Sequence, residues 1–104
     1  MIGVPHYLLA EVQKLAAEGR MTVVRRALVN AENLGYNQAE VTRCICSLSN
    51  SDFDKVWSDG GNIFFDVYKP SYIPSFDRTR CDPLYMKLKI SDGEVTLLGS
   101  FKLE

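Results

Sequence analysis

Tyr85, Lys87 and Lys89 stand two residues apart and alternate with apolar residues, so a β-strand would place the three side chains on one face. A phenol beside two ammonium groups can bind an anion and take part in proton transfer. The Asp92-Gly93 pair that follows favours a two-residue hairpin turn, and the returning strand brings Lys102 to the end of the same face. Neighbouring lysines repel mildly, so an anion would be stabilised there. A solvated sheet face is the alternative interpretation, because lysines are common on such faces.

The hairpin turn also predicts which residues oppose one another. A two-residue loop places Ser91 opposite Glu94 and Ile90 opposite Val95. The face with the lysines then has three further residues, Thr96, Leu98 and Ser100. The opposite face is apolar and should meet the helices. Its eight residues are Leu84, Met86, Leu88, Ile90, Val95, Leu97, Gly99 and Phe101.

The sequence before the hairpin adds positive charge and aromatic rings. Residues 67–90 contain five cations and two anions, a balance of +3 in a chain of net charge −1; they are Lys69, Arg78, Arg80, Lys87 and Lys89 with Asp77 and Asp82. Phosphate contacts need such concentrated charge and make binding dependent on salt. Unstacked bases of single-stranded RNA stack on aromatic rings, of which six are interleaved here. These are Phe64, Phe65, Tyr68, Tyr72, Phe76 and Tyr85, and core packing is the alternative role for most of them.

Other chemistries have little support in the sequence. His6 is the only histidine, so a histidine acid–base pair cannot form, and its position at the start of the first helix favours a structural role. Cys44 and Cys46 lie roughly 200° apart around a predicted helix and cannot chelate one metal together. No glycine-rich phosphate loop precedes a helix. We therefore expect no metal and no cofactor.

Residues 1–58 have the periodicity of helices. Apolar residues repeat at helical spacing over residues 8–16, 24–34 and 41–48, and Gly19 and Gly35 follow the first two stretches as stops.

Two polar pairs predict further starts of helical structure. Asn37 with Glu40 has the spacing of a capping box before the third helix. Ser49 with Asp52 repeats that spacing and predicts a short turn or helix that ends near Trp57.

Residues 60–104 have the pattern of strands. Residues 63–68 are rich in β-formers and stop at Pro70. Residues 71–83 are polar and proline-rich and predict a long loop before the hairpin. Helices followed by an antiparallel sheet predict an α+β fold, with the helices packed on one face of the sheet in a single domain of residues 1–104.

Length and composition agree with a globular chain. Its 104 residues are 46% hydrophobic and 24% charged, as expected of one folded domain. The net charge of −1 excludes a uniformly basic nucleic-acid binder, although not a basic patch. No apolar run approaches the ~20 residues of a membrane span, and the N-terminus lacks the pattern of a signal peptide. With three cysteines as well, we expect a cytoplasmic protein without a membrane partner.

Several short stretches of the chain, taken in order, resemble those of a known protein family. They are Pro5-His6, Ala27-Leu28-Val29-Asn30-Ala31 with Leu34-Gly35, Leu48-Ser49, Ser51-Asp52-Phe53 to Lys55, Asp66-Val67-Tyr68-Lys69-Pro70, Tyr85 with Lys87, and Ser100-Phe101-Lys102. In this order they resemble the MqsR family of bacterial toxins, the motility quorum-sensing regulator toxins. The resemblance implies a RelE-like fold, cleavage of messenger RNA without a metal, and silencing by a cognate antitoxin protein encoded beside the toxin.

The resemblance also implies roles for single residues. The functional lysine that follows Ser-Asp-Phe in the family falls on Lys55, the functional tyrosine of the penultimate strand on Tyr85, and the C-terminal lysine on Lys102. Two features depart from the family: Phe65 stands where a glutamine usually precedes Asp-Val-Tyr, and residues 71–83 form a longer segment than is typical.

Metal-free cleavage of RNA requires activation of the ribose 2′-OH, stabilisation of a phosphorane and protonation of the 5′-oxygen. We expect Lys55 or Tyr85 to transfer protons, while Lys87 and Lys102 hold the phosphate. The expected products are a 2′,3′-cyclic phosphate and a 5′-hydroxyl. Further candidates for substrate binding are Lys69, Lys89, Phe65 and Arg80.

Two other functions remain open on the sequence. The first is an inactive RNA- or antitoxin-binding regulator of the same fold, in which Phe65 has replaced the amide needed for cleavage. In such a binder, Lys55→Ala and Tyr85→Ala weaken affinity, but there is no cleavage to lose. The second is an interaction module whose aromatic residues and sheet edge dock a partner, which predicts no salt-dependent affinity for RNA.

Overall fold

The computed structural model describes residues 4–98 and 102–103. Its helices are α1 (Leu9–Ala17), α2 (Arg25–Asn33) and α3 (Gln38–Ser47), followed by a 3-10 turn (Asn50–Asp52). Its strands are β1 (Met21–Val23), β2 (Phe53–Ser58), β3 (Phe64–Tyr68), β4 (Ser71–Tyr72), β5 (Asp82–Ser91), β6 (Glu94–Leu97) and β7 (Lys102–Leu103). Within the described ranges, no helix is long and apolar enough to cross a bilayer.

The strands form a mixed sheet with β5 at its centre. The order across the sheet is β1-β6-β5-β3-β2, and β4 and β7 each pair with β5 outside this path. The β1 and β6 strands run parallel, while the other pairs are antiparallel.

The core lies between the helices and one face of this sheet. Each helix contributes an apolar stripe, such as Val12 and Leu15 of α1, because residues three and four apart share a helix face. From the sheet, alternate residues of β5 and β6 meet these stripes and are inaccessible to solvent; they are Leu84, Met86, Leu88, Val95 and Leu97. The predicted α+β fold with helices on one face is therefore confirmed.

The predicted hairpin turn is also confirmed, and the predicted register holds for the four pairs next to it. The pairs run from Ser91 with Glu94 to Leu88 with Leu97. Asp92 and Gly93 both have positive φ, 53° and 74°, as a type I′ turn requires. The register shifts by two residues further along, because Tyr85 pairs with Lys102 rather than with residue 100. The predicted partners Gly99, Ser100 and Phe101 lie outside the described residues.

The prediction of a turn or helix ending near Trp57 is wrong for most of its length. The Asn37 cap of α3 forms as predicted, with its Oδ1 accepting from the Glu40 amide at 2.8 Å. The capping box of Ser49 and Asp52, by contrast, closes a single 3-10 turn. The chain then continues as β2, because β3 offers it a partner strand, a tertiary contact that local spacing does not reveal.

The segment 71–83 is not the plain loop that the sequence predicts. It contains β4 and the first residues of β5, and Tyr72 pairs with Asp82. Glu40 of α3 anchors it: the carboxylate accepts hydrogen bonds from the hydroxyls of Tyr72 and Ser75 and from the Ser75 amide at 3.0 Å. The short β1 was not anticipated either, since its three residues depend on pairing with β6.

Candidate functional site

The sheet face turned away from the helices, here called the open face, carries most of the predicted site residues in three rows. Directly paired residues of neighbouring antiparallel strands project to the same face, so strand pairing defines the rows. The middle row is Lys55, Val67 and Lys87; one outer row is Trp57, Phe65 and Lys89; the other is Lys69 and Tyr85.

The middle row places Lys55 and Lys87 on either side of β3. Lys55 is exposed and Lys87 is half-buried, and both pair with Val67, which is fully buried. Neighbouring strands are about 4.8 Å apart, so the two lysine backbones lie roughly 10 Å apart. Two flexible lysine side chains at this separation can reach the same phosphate group from opposite sides.

Tyr85 is half-buried beside a lysine in its own row. The Lys69 ammonium is 5.8 Å from the centroid of the Tyr85 ring. Lys69 also forms an ion pair with Asp54, whose carboxylate lies 3.7 Å from its Nζ. On the other side of Tyr85, the backbone of Lys102 occupies the paired position in β7. Tyr85 and Lys102, which are predicted to act together, thus occupy directly paired backbone positions in β5 and β7.

The remaining row is aromatic and covered by ammonium groups. The Trp57 and Phe65 rings lie 5.4 Å apart between centroids. The Lys87 Nζ lies 4.1 Å from the centroid of the Trp57 ring, and the Lys89 Nζ lies 5.6 Å from that of Phe65. Phe65 is only 7% exposed, whereas Trp57 is 37% exposed. A ligand approaching the open face therefore meets the indole before it meets Phe65.

Arg80 is not brought to this face. Its guanidinium contacts Asp82 at 2.6 Å and donates to the carbonyl of Leu34 at 3.0 Å, and it lies against the Phe76 ring on the helix side. Arg80 holds the pKa of the Asp82 carboxyl below its usual range, against the effect of burial, and the hydroxyl of Tyr36 donates to the same carboxylate at 2.5 Å. Through these contacts Arg80 packs segment 71–83 against the helix side of the chain.

His6 has the structural surroundings that the sequence predicts. Its ring stacks on Phe64 with centroids 4.6 Å apart. The backbone amides of His6 and Tyr7 donate to the two carboxylate oxygens of Asp66, at 2.8 and 2.9 Å. Asp66 is fully buried and lies on the helix side of β3. The pair of bonds ties the start of the described chain to the strand that carries Phe65 and Val67.

A groove of about 510 Å³ lies on the helix side, between α1 and the turn that follows α3. Leu8, Leu9, Gln13, Leu48 and Ser49 are among its lining residues, none of which is titratable. The groove therefore has no side chain for proton transfer and no cation for a phosphate, whereas the open face has both.

Comparison with known proteins identifies the family of this arrangement. The sequence model of the family described as "Motility quorum-sensing regulator, toxin of MqsA" matches residues 4–103. The chain belongs to this family of MqsR toxins. One relative, the mRNA interferase toxin MqsR of Escherichia coli (strain K12), is 39% identical over 101 residues, which cover 94% of this chain and 93% of the relative. The resemblance expected from short stretches of sequence is confirmed.

In this MqsR-family chain, Trp57 is the open-face residue that the sequence prediction missed. Trp57 was assigned to the end of a predicted helical turn, because no strand was expected before residue 63. Two signals were available: Lys55 and Trp57 are two residues apart, and a turn cluster of Asp59, Gly60 and Gly61 follows. Together they indicate a strand entering a hairpin, which would have placed both side chains on one face.

Proposed function

We propose that this chain is the toxin of a toxin–antitoxin pair and cuts messenger RNA on its open face. The observation that carries the proposal is the 39% identity to an mRNA interferase toxin over 94% of the chain. The clustering of Tyr85 with lysines on a sheet face that the helices leave uncovered supports it physically. Such a face can bind the sugar–phosphate backbone of RNA electrostatically.

The proposed reaction is transfer of the phosphate to the adjacent ribose 2′-OH. A base removes the proton of the 2′-OH, its oxygen attacks phosphorus, and the bond to the 5′-oxygen breaks as that oxygen gains a proton. Lys55 or Tyr85 transfers these protons. Lys87 and Lys102 stabilise the extra negative charge of the phosphorane, which is usually the largest catalytic contribution. The products are a 2′,3′-cyclic phosphate and a 5′-hydroxyl, and no metal or cofactor takes part.

Lys69 and Lys89 extend the cationic surface beyond the reacting phosphate. Their positions in the two outer rows suit them to bind the phosphates on either side along a single strand of RNA. A cognate antitoxin protein is the proposed protein partner, since the family description calls its members the toxin of MqsA. With messenger RNA as substrate, the proposed place of action is the cytoplasm.

Induced expression in bacterial cells tests this function. We expect the wild type to arrest growth and to produce discrete cuts in cellular mRNA, mapped by primer extension. Lys55→Ala and Tyr85→Ala should each weaken both effects, and the variant that lacks the proton-transferring group should abolish them. Arg26→Ala, which removes an exposed cation from α2, is the matched control and should behave as the wild type. Normal growth with intact mRNA, from a folded wild type, would contradict the proposal and favour a binding role.

A further inference from the structure

Trp57 presents an aromatic surface at the edge of the cationic cluster. It is 37% exposed on the edge strand β2, and its pairing with Phe65 sets the two rings at 45° with centroids 5.4 Å apart. Phe65 is almost fully buried, so it forms an apolar backing that limits where the indole can turn. Aromatic rings beside cations are the surfaces on which proteins bind unpaired bases and their phosphates together.

The ammonium of Lys87 lies over the indole. Its Nζ is 4.1 Å from the centroid of the Trp57 ring and 5.5 Å from that of Phe65. Such a contact at an exposed site is weak, whereas a hydrogen-bonded pair of ammonium and phosphate is charge-assisted and stronger. A phosphate bound at the open face can therefore draw Lys87 away from the indole, because the lysine stem is flexible.

We propose that Trp57 is the stacking surface for one unpaired base of the bound RNA. Lys87 moves from the indole to a backbone phosphate, and a base attached to that backbone takes its place on the ring. The inference rests on the proposed function and adds a base-binding position to it. Since the base next to the reacting phosphate is then held by stacking, Trp57 influences both affinity and where the strand is cut.

Trp57 is the only tryptophan of the chain, so its fluorescence reports this ring directly. The probe is a dye-labelled 2′-O-methyl oligonucleotide, which has no free 2′-OH and cannot be cut by the proposed reaction. Anisotropy of the dye measures binding, and indole emission measures stacking. We expect binding accompanied by quenching of Trp57. An abasic oligomer of the same length should bind more weakly and without quenching.

Substitutions separate stacking from general apolar contact. Trp57→Leu should lower the affinity about 5- to 150-fold, the range for loss of one stacked base, whereas Trp57→Phe should retain most of it. Val56→Ala is the matched control, because Val56 is an exposed apolar residue of the same strand on the opposite face. It should bind as the wild type does.

The outcomes distinguish this inference from the proposed function. Salt-dependent binding without quenching, or a Trp57→Leu variant that binds as tightly as the wild type, would overturn base stacking while leaving RNA cleavage in place. Failure of the folded wild type to bind the oligonucleotide or to cut cellular mRNA would overturn the proposed function, and base stacking with it.

Discussion

At the scale of single residues, the open face combines apolar packing with positive charge. The ammonium groups of Lys87 and Lys89 lie over the Trp57 and Phe65 rings, at 4.1 and 5.6 Å from the ring centroids, so both lysines lie against aromatic surface. Phe65 is therefore buried although it lies on the side of the sheet without helices. The lysines gain defined positions, and the apolar surface between the strands is protected from water.

Removal of one of these charges should change the salt dependence of RNA binding. Lys87→Gln should weaken binding and reduce the slope of log affinity against log salt by about 0.7 to 1, the value for one lost phosphate contact. The measurement is a titration of a 2′-O-methyl oligonucleotide at several salt concentrations.

The control for this titration is Arg26→Gln, which removes the same charge from the exposed side of α2. Its slope should equal that of the wild type. Equal reductions of the slope for Lys87→Gln and Arg26→Gln would show that RNA binding depends on the net charge of the chain rather than on the open face.

At the scale of elements, a buried carboxylate joins α3 to segment 71–83. Glu40 is 2% exposed, and it accepts hydrogen bonds from Tyr72 and Ser75 and lies 3.4 Å from the guanidinium of Arg43. Burial alone would raise the pKa of the Glu40 carboxyl, but the bonds from Ser75 and Tyr72 and the charge of Arg43 together lower it below its usual value. Glu40 is therefore ionised in the folded chain and requires these donors.

Glu40→Gln should destabilise the chain by about 2–3 kcal/mol at pH 7, because the amide loses the charge-assisted bonds. A lowered folded pKa gives stability that is present above the unfolded value, near 4.5, and is lost as the pH falls through the folded value. The gap between wild type and Glu40→Gln should thus narrow below pH 4.5 in chemical denaturation experiments. Glu32→Gln, an exposed position of α2, is the control and should show little loss at either pH. A gap that stays constant with pH would contradict this role.

The elements that sequence predicts well are those whose signals are local. The Asp92-Gly93 turn requires two residues of positive φ, and the Asn37 cap requires one side-chain acceptor, so both are evident from a few residues. By contrast, β1 and β2 are edge strands that exist because β6 and β3 pair with them. The same reason explains the site: the strand of Tyr85 and Lys87 was predicted, whereas the strand of Trp57 was missed.

At the scale of the whole molecule, stability and the proposed chemistry lie on opposite sides of one sheet. The core fills the helix side, where Leu84, Met86 and Leu88 of β5 are inaccessible to solvent. The intervening residues of the same strand, Tyr85 and Lys87, face the open side. Alternate residues of a strand face opposite sides of the sheet, so β5 contributes to the core with one set and to the open face with the other. The open face therefore has a local excess of cations, although the net charge of the chain is −1.

This separation predicts opposite effects of substitutions in neighbouring residues of β5. Leu88→Ala should lower the free energy of unfolding by about 2–5 kcal/mol, as truncations of buried leucines do, and leave cleavage by the folded fraction unchanged. Tyr85→Phe should leave the unfolding midpoint near that of the wild type. Denaturant titrations and cleavage assays of both variants check this, and a folded Leu88→Ala variant without cleavage would contradict it.

The most direct test of the account is cleavage of RNA by the purified chain in EDTA, with analysis of the product ends. We predict cuts that leave a 2′,3′-cyclic phosphate and a 5′-hydroxyl. Either Lys55 or Tyr85 transfers the proton, and substitution of that residue should lower the cleavage rate by roughly 100-fold or more. The variants are Lys55→Gln and Tyr85→Phe, with Tyr7→Phe, a phenol on the helix side, as the control. Cleavage by both site variants at the wild-type rate, or products with a 5′-phosphate, would contradict a metal-independent site on the open face.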